Sequence, residues 1–226
     1  MSEKQKIVFS DFDGTVTRKD SFIRSLFFYS SIFKICSSMP GLVFNLIKFF
    51  LGKISRNDMK RYSFKKFFSG VEISFIAEKN TTYIKKLRFN DKVVELLKTF
   101  REDGYKIILV TASPDTYIGY FAKELGYDGL ICTRVEEKDG KLTGNFIGMN
   151  CNNEEKVKRI KESEYYTENS QIITLGNSKG DHAMLGLSDE YYYVINGEPI
   201  KNAKYVRAQD IEPIQQETQN GKDKKL

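Results

Sequence analysis

The chain has 226 residues, enough to bury a full core as one domain or as one domain with a sizeable insertion. With 40% hydrophobic and 29% charged residues, and neither a low-complexity tract nor a fixed-period repeat, disordered and solenoid architectures are excluded. A single histidine, His182, excludes multi-histidine metal chemistry, and the three scattered cysteines (Cys36, Cys132, Cys151) argue against a zinc site and fit a reducing compartment.

The net charge of +6 is unevenly spread. Residues 17–88 hold 15 Lys/Arg against 4 Asp/Glu, a balance of +11, so the remainder carries −5. Such a basic region suits an anionic membrane, a phosphorylated substrate or nucleic acid. No nucleic-acid module is recognisable, and no nucleic-acid partner is expected.

In chain order, Met1 to Lys6 runs directly into Ile7-Val8-Phe9, an apolar run too short for a signal peptide, so a cytoplasmic protein is expected. Ile7 to Ser10 reads as a buried strand that stops at Asp11. Residues 17–88, rich in Phe, Leu, Ile and Lys at helical spacing, predict a helical insertion after that strand. Inside it, Phe22 to Ile54 is strongly apolar but broken at Pro40-Gly41. A membrane span needs ~20 apolar residues, so two amphipathic helices joined at Pro40-Gly41 are predicted instead.

Residues 91–103 predict a helix with Val93, Val94, Leu96, Leu97 and Phe100 on one face, ended by Gly104. Lys106 to Val110 is a second strand, and residues 115–125 a helix ended by Gly126. Asp139-Gly140 marks a hairpin turn. Residues 154–163 read as a helix and Gln171 to Leu175 as a third buried strand. A loop over residues 176–180, a short helix near Ala183-Met184-Leu185 and a strand from Tyr191 to Ile195 complete the pattern. The polar tail from about residue 207 is expected to be flexible.

Buried strands alternating with helices predict an α/β fold with a doubly wound, mainly parallel sheet. The expected division is a discontinuous core of residues 1–16 and 89–206, a helical cap of residues 17–88 and a tail of residues 207–226. In such sheets ligands bind beyond the carboxyl ends of the strands, so the polar segments after the first three strands should converge.

Those segments carry the candidate chemistry. Asp11 and Asp13 stand two residues apart on a loop just past the first strand. One carboxylate can attack phosphorus while the other handles the leaving group's proton. Gly14 allows close backbone approach, and Thr15 adds a hydroxyl. The same Asp-x-Asp-Gly-Thr also suits a solvated turn. Thr111-Ala112-Ser113 ends the second strand with hydroxyls for a phosphate oxygen. Asn177 and Asp181 are hard oxygen ligands suited to magnesium, and Asp181 would serve equally as a helix cap. Lys156, at a helix start, is the cation expected to offset phosphoryl charge.

Together, Asp-Phe-Asp-Gly-Thr-Val-Thr at 11–17, the strand ending at Thr111, Lys-Asp-Gly-Lys-Leu-Thr-Gly at 138–144, Glu155-Lys156-Val157 and Gly-Asn-Ser-Lys-Gly-Asp at 176–181 resemble the haloacid dehalogenase superfamily. Within it they resemble the phosphoserine-phosphatase-like branch, over roughly residues 6–206. This resemblance implies a Mg2+-dependent phosphatase with a Rossmann-like core and a helical cap that closes over the substrate. Asp11 would be nucleophile and metal ligand; Asp13 would be general acid, then base, and would bind metal through its carbonyl. Thr111, Ala112, Ser113, Lys156, Gly14 and Thr15 would hold the phosphate, with Asn177 and Asp181 completing the metal site. Asn177 stands where the family usually has Asp, which removes one negative charge and should lower metal affinity.

The branch also suggests substrates. Asp20 occupies a place comparable to the acidic residue that engages the amine of phosphoserine, and Arg61 or Arg56 could meet its carboxylate. In the phosphoserine enzymes a glycine pair usually follows the serine at the end of the second strand; here Ala112-Ser113-Pro114 stands instead, which weakens that reading. Some members of the branch act on phosphatidylglycerophosphate, and the basic, apolar insertion suits a lipid phosphate with peripheral contact to the inner face of an anionic membrane. The same apolar residues also suit a private core of the insertion. A non-catalytic phosphate-ligand binding module, poor in metal because of Asn177, is the alternative of another class. Oligomeric state is left open.

Overall fold

The computed structural model describes residues 4–188 and 190–202, so the tail expected over residues 207–226 lies outside the described residues. Seven strands form one sheet: β1 (Lys6–Ser10), β2 (Lys106–Pro114), β3 (Gly129–Lys138), β4 (Lys141–Ile147), β5 (Gln171–Gly176), β6 (Glu190–Ile195) and β7 (Glu198–Lys201). Their order is β4-β3-β2-β1-β5-β6-β7. The five inner strands run parallel, and the edge strands β4 and β7 pair antiparallel to their neighbours. The fold is α/β, as the alternation of strands and helices predicts.

Strand alternation divides the core between the two faces of the sheet. Val8, Ile107, Leu109, Ile173 and Leu175 face α5 (Asp91–Glu102) and α6 (Asp115–Glu124), packing with Val93, Phe100, Tyr117 and Phe121. Ile7, Phe9, Ile108 and Val110 face the other way, onto Ile160 of α7 (Glu154–Lys161) and Met184 of α8 (His182–Leu185). Both faces are covered, which explains why β1 reads as an unbroken apolar run. In α5, Val93, Leu97 and Phe100 are buried, whereas Val94, expected on the same face, is 44% exposed. One residue turns a helix by about 100°, which carries Val94 off the inner stripe.

Four helices lie between β1 and α5: α1 (Ser21–Phe28), α2 (Ile32–Phe50), α3 (Arg56–Phe68) and α4 (Ile73–Ile84). Tyr29 and Tyr83 join Tyr117 and Phe121 of α6 in one aromatic cluster, so these helices share a continuous core with one face of the sheet. Phe64 of α3 packs on Phe146 of β4.

The expectation of two helices meeting at Pro40-Gly41 is corrected: α2 is one helix of 19 residues running through both. Proline removes a single backbone donor and crowds the preceding turn. Here the Pro40 side chain is exposed, and Gly41 lets the helix close on α3, since a Cβ there would meet the Tyr62 hydroxyl at 2.1 Å. The Asn45 amide also donates to the Gly41 carbonyl at 2.9 Å. The hairpin turn predicted at Asp139-Gly140 is present, with both residues at positive φ. β7 was not expected, although Asn196-Gly197, also at positive φ, is the same hairpin signal.

Candidate active site

β1 lies at the centre of the sheet, between β2 and β5, and the chain leaves it at Asp11. The Asp11 amide donates to the Leu175 carbonyl at the end of β5, which aims the following turn over the crevice between the strands. Gly14 sits at φ +84°, and a Cβ there would meet Asn177 at 2.1 Å. Only glycine permits this close crossing of the loops after β1 and β5.

The carboxyl ends of β1, β2 and β5 and the start of α7 meet at Lys156. Its Nζ donates to Asp11 Oδ1 at 2.6 Å, Asp181 Oδ1 at 2.7 Å and the Val110 carbonyl at 2.9 Å. Lys156 is 1% exposed, so these three acceptors must replace its water shell. Burial alone would lower the ammonium pKa; the Asp11 and Asp181 carboxylates outweigh it and raise the pKa. Burial pushes Asp11 up to about 7, the Asp181 charge adds to this, and Lys156 opposes it. For Asp181 burial acts upward, but Lys156 and hydrogen bonds from Ser178 and the Asn177 amide prevail and hold it below its ordinary value.

Asp13 is built differently. Its Oδ1 accepts from the Ser21 amide at 2.6 Å and its Oδ2 from the Ser113 hydroxyl at 2.5 Å. Burial and the Asp20 charge raise its pKa against those hydrogen bonds. Burial raises both carboxyl groups, and they differ in their partners: Asp11 meets the Lys156 ammonium, whereas Asp13 accepts from two uncharged donors.

A cavity of about 600 Å3 opens above these groups. Asp11, Asp13, Gly14, Asp20, Thr111, Ala112, Lys156, Asn177 and Asp181 line it, as does Arg56. Thr15 and Ser113 are fully buried behind the carboxylates: the Thr15 hydroxyl donates to Asp11 Oδ2 at 3.0 Å, and Ser113 to Asp13. Their contacts suit orienting the two acids more than touching a ligand. Thr111 Oγ1 accepts the Ser113 amide at 3.1 Å, which leaves its hydroxyl proton for another acceptor. Asp20 caps α1 by accepting the Ile23 amide at 2.9 Å.

Arg61 does not join the group. Its guanidinium donates to the Gly148 carbonyl at 2.6 Å and lies over Phe146. Asp181 does not cap α8 with its side chain; its Oδ2 closes a capping box with Ser178 over the 3-10 turn Lys179–Asp181, while Oδ1 faces Lys156. Lys60, which the sequence reading passed over, lines the cavity with its Nζ 2.7 Å from the Ala112 carbonyl and over the Phe22 ring. Burial lowers its pKa to about 8. The helical spacing Arg56, Asn57, Lys60, all lining residues, was the available signal.

Among the described residues no group of three or more His, Cys, Asp or Glu is placed to hold a metal. The hard-oxygen side chains at the cavity beside Lys156 are the carboxylates of Asp11 and Asp181 and the amide oxygen of Asn177. Two buried carboxyl groups, Asp11 and Asp181, share the single Lys156 ammonium, so the cluster holds one more acid than cation. Such a set fits magnesium, which binds through one or two carboxylates and keeps several waters.

Residues 8–186 match the family profile of the haloacid dehalogenase-like hydrolases. The chain is 30% identical over 207 residues to Protein CicA of Caulobacter vibrioides, an alignment covering 88% of this chain and 90% of that protein. It is 28% identical over 117 residues to the phosphoserine phosphatase of Polaromonas sp., covering 49% of this chain and 50% of that one. Among solved structures, a Bordetella pertussis protein of unknown function is similar at TM-score 0.71 and 16% identity, over 84% of this chain and 90% of that one. A substrate-bound phosphoserine phosphatase is similar at TM-score 0.57 and 19% identity, over 84% and 86%. At those identities the two structures speak for the fold. The chain belongs to the haloacid dehalogenase-like hydrolases.

Proposed function

We propose that this protein is a magnesium-dependent phosphomonoester phosphatase working through an aspartyl-phosphate on Asp11. The observation that carries the reading is the Lys156 ammonium joining Asp11 and Asp181 at 2.6 and 2.7 Å on the floor of an open cavity. Magnesium held by Asp11, Asp181, Asn177 and the Asp13 carbonyl would neutralise phosphoryl charge.

Asp11 Oδ2 attacks phosphorus, the phosphorus–oxygen ester bond breaks, and protonated Asp13 gives its proton to the leaving oxygen. The Asp13 carboxylate then takes a proton from the water that attacks the Asp11 phosphate, releasing inorganic phosphate and free Asp11. The raised pKa of Asp13 suits the first half of that cycle. Thr111, Lys156 and the backbone at Gly14 bind the phosphoryl oxygens. Thr15 and Ser113 hold the two carboxylates in place. Residues 17–88 act as the cap that shields the reaction from water, with 1–16 and 89–206 as the core.

The substrate is a phosphorylated small molecule. Two classes suit the site. Asp20 and Arg56 line the cavity and would meet the amine and carboxylate of a phosphoserine-like ester. The apolar part of the lining favours an ester with an apolar group, such as a phosphatidylglycerophosphate-type lipid phosphate: Phe22, Leu26, Phe27, Leu42, Leu46 and Phe49 all line the cavity. A cytoplasmic location completes the reading.

The test is hydrolysis of an aryl phosphate with and without magnesium. Wild type should turn over only with the ion, and Asp11→Asn should be inactive. Turnover by Asp11→Asn at the wild-type rate would remove the proposal. Phosphate binding without turnover by wild type would establish the non-catalytic binding alternative.

A further inference from the structure

We propose that α2 is a docking surface for an anionic lipid bilayer and lies in its interface with the helix axis parallel to the membrane plane. The helix presents apolar residues on the side turned away from the protein. Phe33, Val43, Phe44, Ile47 and Phe50 recur at helical spacing on that side, and Leu51 follows; Phe33 is 84% and Phe50 77% exposed. Within α2 only Ser38 is buried. In a helix covering a protein core the apolar stripe faces inward and charges face out. Here Ile35 and Leu42 pack inward, yet the outer side is apolar as well.

By length and composition alone the helix could cross a membrane, with 19 residues and a mean hydropathy of 1.3. Its packing argues against crossing. Near its start Lys34 donates to the Ser69 carbonyl at 2.8 Å, at mid-length Gly41 lies under Tyr62, and near its end Leu46 and Phe49 line the same cavity as Asp11. A helix held along its length against the body of the protein cannot place its ends on opposite sides of a bilayer about 30 Å thick. It can bury one face in the interface.

Charge identifies the occupant. From Ser21 to Asn57 the chain carries Arg24, Lys34, Lys48, Lys53 and Arg56 and no Asp or Glu. Anionic lipid attracts such a segment. A second copy of the chain docked on the same face would bring ten cations together with no acid from either segment. The docking surface adjoins the cavity through Leu46 and Phe49 on the helix's inner side, so a docked protein would hold the cavity mouth near lipid. The proposal stands on exposure and charge and does not depend on the phosphatase chemistry.

The test is flotation of the full chain with vesicles of phosphatidylcholine alone or mixed with phosphatidylglycerol, comparing wild type with Phe44→Asp/Phe50→Asp. Wild type should float only with the anionic vesicles. The double variant should lose at least tenfold in binding while keeping the wild-type circular dichroism spectrum and aryl-phosphate turnover. Lys48→Gln and Lys53→Gln should each weaken binding about fivefold. Failure of wild type to float, or equal flotation by the double variant, overturns the proposal. So does a concentration-dependent dimer in sedimentation that the double variant abolishes. Because aryl phosphate is soluble, loss of its hydrolysis would bear on the proposed chemistry and leave the docking result to be read separately.

Discussion

The Lys156 ammonium donates to the Asp11 carboxylate at 2.6 Å, and both side chains are buried. Their chain positions are 145 residues apart, and the same ammonium holds Asp181 at 2.7 Å. Fold and site are coupled through this one nitrogen. It bridges the strand ends that form the crevice, and it is the fixed cation a phosphoryl group would meet.

Removing it should therefore cost both stability and activity. Lys156→Met leaves two buried carboxylates facing each other without a cation. Breaking a buried pair typically costs about 3–5 kcal/mol, and loss of one preorganised donor lowers kcat by roughly 10²–10³. Chemical denaturation and aryl-phosphate kinetics measure the two effects. A variant as stable as wild type would mean that the three contacts of Lys156 contribute little.

Asn177 places an amide where a carboxylate would strengthen a cation site. Asn177→Asp should lower the magnesium concentration for half-maximal activity by roughly tenfold. In a chelator the same variant should melt below wild type, because a third acid joins Asp11 and Asp181. Magnesium titration of activity, with thermal melts in chelator, tests both parts. An unchanged magnesium requirement would remove Asn177 from the metal site.

Gly14→Ala should be inactivating. The position combines φ +84° with a Cβ 2.1 Å from the Asn177 amide nitrogen. Left-handed backbone costs an L-residue about 1–2 kcal/mol, and displacement of the crossing loops costs positioning as well. Turnover should fall by roughly 10² or more, with the melting temperature a few degrees lower. Full activity would show that the two loops adjust freely.

Lys60 supplies a pH signature. Burial lowers its pKa to about 8, so its charge is present below that pH and lost above it. KM for an anionic ester should rise as pH passes 8, by roughly tenfold if the ammonium contacts the substrate. Lys60→Arg should keep KM flat to higher pH, and Lys60→Gln should show the high KM throughout. Arg61→Ala, whose guanidinium is engaged with Gly148 and Phe146, should leave KM unchanged. A Lys60→Gln profile that still rises at pH 8 would assign the titration to another group.

Much of this arrangement is legible in the sequence, because the strand ends carry their own punctuation. Asp11, Thr111 and Asn177 each follow a buried apolar run, and a parallel sheet brings such ends together. Asp139-Gly140 marks its hairpin; Asn196-Gly197 carries the same signal and was overlooked because the strand after it has only four residues. Pro40 misled because propensity describes an isolated helix, while Gly41 against Tyr62 supplies tertiary support. Lys60 and Arg61 could not be ranked from the sequence: adjacent residues on a helix point about 100° apart, and only the packing of α3 decides which faces the cavity. The sequence suggests a membrane-facing insertion, but not which apolar residues of α2 turn outward, since such residues lie on both sides of the helix.

The central claim is that Asp11 becomes phosphorylated. It is tested most directly by acid-quenching the enzyme during turnover of an aryl phosphate with magnesium, and mapping phosphate adducts by peptide mass spectrometry. The account predicts a phosphate on the peptide containing Asp11, absent from the Asp11→Asn variant. Steady hydrolysis with no adduct on that peptide, and turnover retained in Asp11→Asn, would contradict it.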